Sequence, residues 1–508
     1  MADIERDGKP TVESVDNVEH KKLPEHGQSV GYEQYREALD LEISDKEMRK
    51  VRMKIDLIIV PIFLVTQGLQ FLDKTALNYA NLFNYQDALG LKGQEFNYLS
   101  AIVYAGYFIG QYPLGNIIGR YPAQKVLATC ILVWGVLVIL LTQARSFSSA
   151  SAFDHRFTHI EIVLMGLFEA SVTPNSSPPM YLVIGSYVST GIAKLPEDTT
   201  PERWKIIFYI VCMNESFSGP MLTCFQLGGV TILWSAVVWF VLADSPSNAS
   251  FLSHREKLIA VKRVAGNETG IKNKKFDMKQ VWLGFTDIKA ILLFISVFAA
   301  AIPNGVVNSF STIIIKDLGF STEKTTELKS VGDAVNVVAL IIGGIVILNV
   351  PDSRLITATI ANLLCTVSAA TLGFLPRSNT WGRLVSFWLV NSQSVGFTVS
   401  LTTISSNMAG YTHRSFASAL VFTAYCWGNF AGPFVVKQSE APTYTSATIG
   451  LLVGYGIKSV CHLILLVYMF SVNRHRNSTY GLQNKAASDE AGMNDLTEFQ
   501  NKDFRYVL

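Results

Sequence analysis

Apolar residues in this chain come in long, nearly charge-free blocks joined by short polar connections, not in the alternating or amphipathic patterns of a water-soluble core. Such blocks cover 55–79, 96–118, 126–143, 283–301, 331–350, 355–374, 384–404, 416–436 and 445–472. Counting the less regular pieces, about eleven stretches are long enough to cross the hydrocarbon core of a bilayer. The pattern predicts an all-α polytopic membrane protein. Glycine and proline interrupt several blocks, as at Pro113, Pro303, Gly305, Gly428 and Pro433. In membrane helices they serve close packing and hinging and do not end the helix. Regularity fails between 156 and 243. There, 160–173 and 180–192 are split by Pro174, Pro178 and Pro179, while 204–211 and 227–242 are separated by the polar insert CMNESFSGPMLTCFQ.

Charge sharpens the picture. Charged residues make up 16% of the 508, against roughly 25% in soluble domains, and they cluster in the tails and a few loops. Residues 1–50 are polar and of mixed charge, which is unlike a secretory signal and predicts a disordered tail with a short surface helix over 32–51. Arg49, Lys50, Arg52 and Lys54 precede the first block, and Arg255, Lys257, Lys262 and Arg263 lie in the central loop. Both regions are therefore expected in the cytoplasm, as is the chain after Arg474 and Arg476. Two ends on one side require an even number of crossings between them, and the first half supplies one too few. The expected organisation is a tail over 1–50, an N-terminal bundle over 51–245 (irregular at 156–227), a basic loop over 246–282, a six-helix bundle over 283–473 and a tail over 474–508.

The six cysteines are scattered and form no C-x-x-C pair, which argues against a disulfide framework or a zinc site. His155 and His159 have the spacing of a metal pair on a helix, with Glu161 nearby, but lack further ligands, so no metal or cofactor is expected. The net charge of +2 gives no footprint for nucleic acid.

Two groups of spans around a basic loop are the layout of the major facilitator superfamily, and local motifs narrow the match. FLDKTALNYA at 71–80, GLFEASVTP at 166–174, LADSPSNASFL at 242–252, IPNG at 302–305, SSNMAGYTHRS at 405–415 and GNFAGP at 428–433 resemble the fungal allantoate permease family, in the anion:cation symporter branch. GRYPAQK at 119–125 resembles that family's reduced loop signature. The resemblance implies a major facilitator fold of two six-helix halves, here with the fifth helix missing or disrupted. It also implies a monomer in the plasma membrane that carries a small organic anion such as allantoate, ureidosuccinate or nicotinate together with a proton. The pattern departs from the family where the crossing count fails. Arg156-Phe157 is pushed away from the Gly-Leu-Phe-Glu segment by THIEIV, and only the end of a fifth helix is recognisable in YVSTGIAKL. Retained intron sequence would explain the insert after Val211, and a skipped exon or a deletion would explain the lost helix.

Candidate site residues follow from the cost of polarity at membrane depth. A charge there costs roughly 2.5–3.5 kcal/mol, so it persists where it faces a protein interior or a watery path. Asp73 and Lys74 close the first block, and Asp73 is the candidate proton-linked group: burial raises a carboxyl pKa, while a neighbouring ammonium lowers it. A solvated pair at the outer mouth is the plainer reading. Glu169 stands in the apolar run LMGLFEASV, for coupling or for a structural hydrogen bond. Arg156, by resemblance, would attract an anion. Gln67, Asn304, Asn308 and Tyr425 are candidates for the substrate site, because amides pair with carboxylate and ureido groups and an aromatic wall suits a planar ligand. Polar residues also pin membrane helices together. A membrane-embedded enzyme is disfavoured by the lack of H-E-x-x-H, G-x-S-x-G or a phosphate-binding loop. The remaining alternatives are a mis-spliced, non-functional product and a non-transporting nutrient sensor.

Overall fold

The computed structural model describes residues 43–141, 227–243, 248–265, 277–484 and 496–508, with the isolated positions 37, 41, 193, 194, 199 and 488. For 67, 71–76, 88–89, 112, 115–116, 118–120, 138–141, 227–228 and 262–265 it describes the backbone alone. The irregular region 156–227, where the fifth helix is expected to be missing, therefore lies outside the described residues except at 193, 194, 199 and 227, and so do Arg156, Glu169 and the His155/His159 pair.

Among the described residues the chain is helical throughout. Helix α1 (Asp45–Leu82) is 38 residues long, about 57 Å. It starts earlier than the apolar block because the Glu47 carboxylate accepts the Ser44 N–H and caps its first turn. A short α2 (Tyr85–Leu89) leads into α3 (Glu95–Arg120) and α4 (Ala123–Leu141). α5 (Leu227–Val241) packs along α4 around the fully buried Trp134, and Trp234 Nε1 donates to Thr66 Oγ1 of α1 at 2.8 Å.

The expected basic loop is itself partly helical. α6 (His254–Ala265) covers the start of α1, where Lys54 pairs with Glu256 at 2.7 Å and Val51 packs against Leu252 and Ile259. α7 (Met278–Thr286) ends at Asp287, whose side chain accepts the Lys289 N–H and starts a new helix. The block expected over 283–301 is accordingly shifted: α8 runs Ile288–Lys316, straight through Pro303. It is followed by α9 (Thr322–Asn349), α10 (Arg354–Phe374), α11 (Thr380–Leu389), a 3-10 turn (Val390–Ser392), α12 (Gln393–Asn407), α13 (Tyr411–Ala431) and α14 (Thr445–Tyr480). α11, the turn and α12 make one broken passage, so six passages follow the central loop.

Six helical stretches among the described residues are long and apolar enough to cross a membrane. Their outer faces bear rows of large exposed apolar side chains, such as Ile341, Ile345 and Leu348 on α9 and Ile360 and Leu363 on α10. Exposed apolar surface on this scale is stable against lipid and not against water. α8 is the hub of the second half, packed between α13 and α14. The α8–α13 crossing is close because a Cβ at Gly428 would lie 2.4 Å from the Phe298 carbonyl oxygen, and one at Gly305 would lie 2.8 Å from that of Asn429.

The chain end differs from a free tail starting at 474. α14 continues to Tyr480, and residues 496–508 return to the helix ends where α1 and α8 begin, here termed the proximal face. Asn407 Nδ2 donates to the Val507 carbonyl at 3.0 Å, the Arg354 N–H to the Leu508 carbonyl at 3.1 Å, and Arg476 to the carbonyls of Phe504 and Glu498.

Candidate substrate site

The break in the α11–α12 passage falls at mid-depth, and polar groups gather on it. Asn304 of α8 donates from Nδ2 to Asn429 Oδ1 of α13 at 2.8 Å, and its Oδ1 accepts Gln393 Nε2 of α12 at 3.2 Å. Asn429 Nδ2 in turn donates to the Tyr425 carbonyl at 2.9 Å. Asn429 is fully buried, whereas Asn304 is half-buried and so is the accessible member of the group. The Tyr425 ring lies 6.2 Å from that of Tyr104 on α3 and 5.5 Å from that of Phe397 on α12. Three helices thus present amide groups that can both donate and accept hydrogen bonds, and Tyr425 joins them through its backbone carbonyl.

Of the sequence candidates, the fold brings Asn304 and Tyr425 into this group. Asn308 is half-buried one turn nearer the distal face, outside the hydrogen-bonded set. Gln67, Asp73 and Lys74 lie within α1, with side chains outside the described residues.

Lys458 is not among the sequence candidates. It stands in α14, is 1% exposed, and donates from Nζ to the Gln393 carbonyl at 2.9 Å. Among the described residues no carboxylate forms an ion pair with it. One turn on, buried His462 lies between Ser296 Oγ (3.2 Å) and Ser400 Oγ (3.1 Å). The signal was present as Lys458 and His462 at i, i+4 within a 28-residue apolar block, but two polar residues barely lower the average hydropathy of so long a stretch.

The two halves meet toward the distal face. Asn78 of α1 donates to Ser311 Oγ at 2.7 Å and accepts from Thr312 Oγ1 at 2.8 Å, and Asn97 of α3 donates to the Val436 carbonyl at 3.1 Å. Phe96 and Phe310 pack edge to face beside them at 5.4 Å. Outside this closure, a cavity of about 260 Å³ is lined by Asn81, Gln94, Asn97, Phe310, Lys437 and Tyr444.

The proximal face holds a second buried cluster, equally unforeseen. Lys289 Nζ pairs with Asp287 at 3.1 Å and with Glu498 of the chain end at 2.9 Å, and all three side chains are fully buried. His413 touches both carboxylates, at 3.4 and 3.5 Å. Asp287, His413 and Glu498 are grouped closely enough to hold a metal ion, but the ammonium of Lys289 already supplies the cation. Burial alone would raise both carboxyls, yet His413 and Lys289 outweigh it and hold them below the usual carboxylate range. The stability that Glu498 contributes is therefore complete above its ordinary pKa of about 4.3 and fades only as pH falls through the lowered value.

No family model matches the chain. Over 474 residues it is 30% identical to the MFS-type transporter cnsL of Penicillium expansum, covering 91% of this chain and 89% of that one. Over 497 residues it is 27% identical to the allantoate permease of Saccharomyces cerevisiae, covering 93% of this chain and 89% of that one. Among solved structures, the proton:xylose symporter XylE, a major facilitator superfamily protein, superimposes with a TM-score of 0.57 at 16% identity, covering 82% of this chain and 96% of that one.

Proposed function

Because this chain belongs to the fungal allantoate-permease-like transporters of the major facilitator superfamily, we propose that it carries a small organic anion of the allantoate, ureidosuccinate or nicotinate type together with a proton. As a transporter and an integral membrane protein it is not an enzyme. In this reading it is a monomer of the plasma membrane, and the proximal face, with both termini, is cytoplasmic. The halves, 50–245 and 280–475, rock about the central site in alternating access.

The observation that carries the reading is the amide group of Asn304, Gln393 and Asn429 at mid-depth on a broken passage. A 3-10 turn within a membrane helix marks a hinge, and convergent amides beside it give a polar site in an apolar medium. With the distal closure through Asn78 and Ser311 formed, such a site exchanges with the proximal side. On the N-terminal half, Asp73, Lys74 and Gln67 on α1 are proposed to line the path. Glu169 and Arg156 complete the proposed set. The allantoate permease and the proton:xylose symporter among the similar proteins support the substrate class and the coupling ion.

The test is uptake of labelled allantoate in a yeast strain lacking its own permease. The expected result is saturable uptake that a protonophore abolishes. Asn304→Ala should raise KM by about tenfold or more while leaving surface abundance unchanged, as expected when one or two polar contacts worth about 1.5 kcal/mol in total are lost. Normal surface abundance without uptake of any of these anions would favour the non-functional product. Uptake indifferent to the protonophore would remove proton coupling.

A further inference from the structure

A lone ammonium buried in the second half has no role in the site as described so far. Lys458 lies inside α14, is 1% exposed, and its one hydrogen bond among the described residues goes to the Gln393 carbonyl at 2.9 Å. That carbonyl sits where the 3-10 turn Val390–Ser392 passes into α12, at the helix break. The same residue reaches the substrate site from its other end, since Gln393 Nε2 donates to Asn304 Oδ1 at 3.2 Å. One residue thus touches both the ammonium and the accessible amide.

Among the described residues no carboxylate offsets the charge. From α10 comes the Cys365 thiol, which donates a hydrogen bond to the Val390 carbonyl at 3.4 Å. From α14 itself come Tyr455, one turn toward the distal face, and His462, one turn toward the proximal face. α8 and α12 contribute the hydroxyls of Ser296 and Ser400 to His462 and no charged group. On α10, the buried Asn362 side-chain amide has no hydrogen-bond partner among the described residues at either atom. A buried ammonium that faces no carboxylate is costly in its charged form and is relieved either by losing its proton or by gaining an anion close by.

We propose that Lys458 is a proton-coupling residue of the second half: protonated while the anion occupies the Asn304 site, and neutral while the empty carrier returns. The inference rests on the symport reading above and adds to it a titrating group distinct from Asp73. The chemistry balances simply. On the outer side the Nζ lone pair takes a proton from hydronium, leaving water and an ammonium that offsets the carboxylate of the substrate. On the inner side the ammonium returns the proton to water, and the amine remains as the anion leaves. Each protonated, loaded crossing moves one anion and one proton.

Lys458→Arg separates this role from a structural one, because a guanidinium stays charged at every accessible pH. Exchange of internal for external substrate uses only the loaded, protonated carrier, whereas net accumulation needs the neutral, empty return. In proteoliposomes with labelled allantoate, the K458R protein is expected to keep counterflow and to lose accumulation driven by a pH gradient. Wild-type counterflow should fall about tenfold for each pH unit above the titration point of the group, while that of K458R stays flat. K458R accumulation equal to wild type, or an unchanged pH profile of its counterflow, overturns the inference and leaves the symport reading standing. Should K458R lose counterflow, K458Q is the second variant. K458Q, permanently neutral, is expected to lack counterflow at every pH while purifying with normal yield and elution, and K458Q counterflow equal to that of wild type would show that exchange needs no charge at this position and overturn the inference. Wild-type protein that exchanges allantoate but never accumulates it under a pH gradient overturns the symport reading, and the inference with it.

Discussion

Lys289→Met should free the end of the chain. The substitution leaves Asp287 and Glu498 buried without the ammonium that both contact, at 3.1 and 2.9 Å, and only His413 remains to offset two carboxylates. Removing one partner of a fully buried ion pair typically costs about 3–5 kcal/mol. Relief is easiest through the member that can leave, which is Glu498 on the docked segment. Undocking forfeits the hydrogen bonds of Asn407, Asn473 and Arg476 to that segment as well. Amide hydrogen exchange should therefore rise across 496–508 and at the start of α13, and protease should cut near the end of α14. Glu498→Gln, which retains an acceptor for the Ala409 N–H, should have a smaller effect. Protection of 496–508 in K289M equal to that of wild type would mean that the backbone contacts alone hold the segment.

Gly428→Ala should destabilise the second half and impair transport together. The added Cβ meets the Phe298 carbonyl oxygen at 2.4 Å and the Ala301 side chain at 2.5 Å, and a backbone oxygen cannot move aside within a helix. α13 must then shift off α8, at roughly 1–3 kcal/mol for overpacking of this kind. Asn429, the next residue, would be drawn away from Asn304, so KM should rise as the unfolding temperature of the purified protein falls. Gly456→Ala is the control, since nothing lies within 4 Å of its added Cβ. Equal thermal stability of the two variants would contradict the close α8–α13 crossing.

The parts of this molecule that the sequence made legible are those governed by average composition. Long apolar blocks mark helices because lipid requires every backbone group to bond within its own helix. The amides of Asn304 and the ring of Tyr425 could be chosen because polarity is costly at that depth. What escaped were effects that no average carries. Asp287 moves the start of α8 through a single capping carboxylate. Lys458 disappears into the hydropathy of a long block, although its spacing from His462 was visible. The docked segment reads as a polar tail, because Glu498 looks like a solvated acid until Lys289 and His413, more than eighty residues away in sequence, come to surround it. Charge pairing across such distances is a property of the fold, and only the alternation of aromatic and charged residues in TEFQNKDFRYVL hinted at it.

The most direct test of the central claim, that this chain is a proton-coupled carrier of small organic anions, uses the protein with the sequence given, including residues 156–226. Purified and reconstituted into proteoliposomes with an imposed pH gradient, acidic outside, it should concentrate labelled allantoate or a related carboxylate above the external level and lose that gradient when a protonophore is added. Correctly folded protein that neither concentrates nor exchanges any of these anions would contradict the account and identify the chain as a transporter relative without transport.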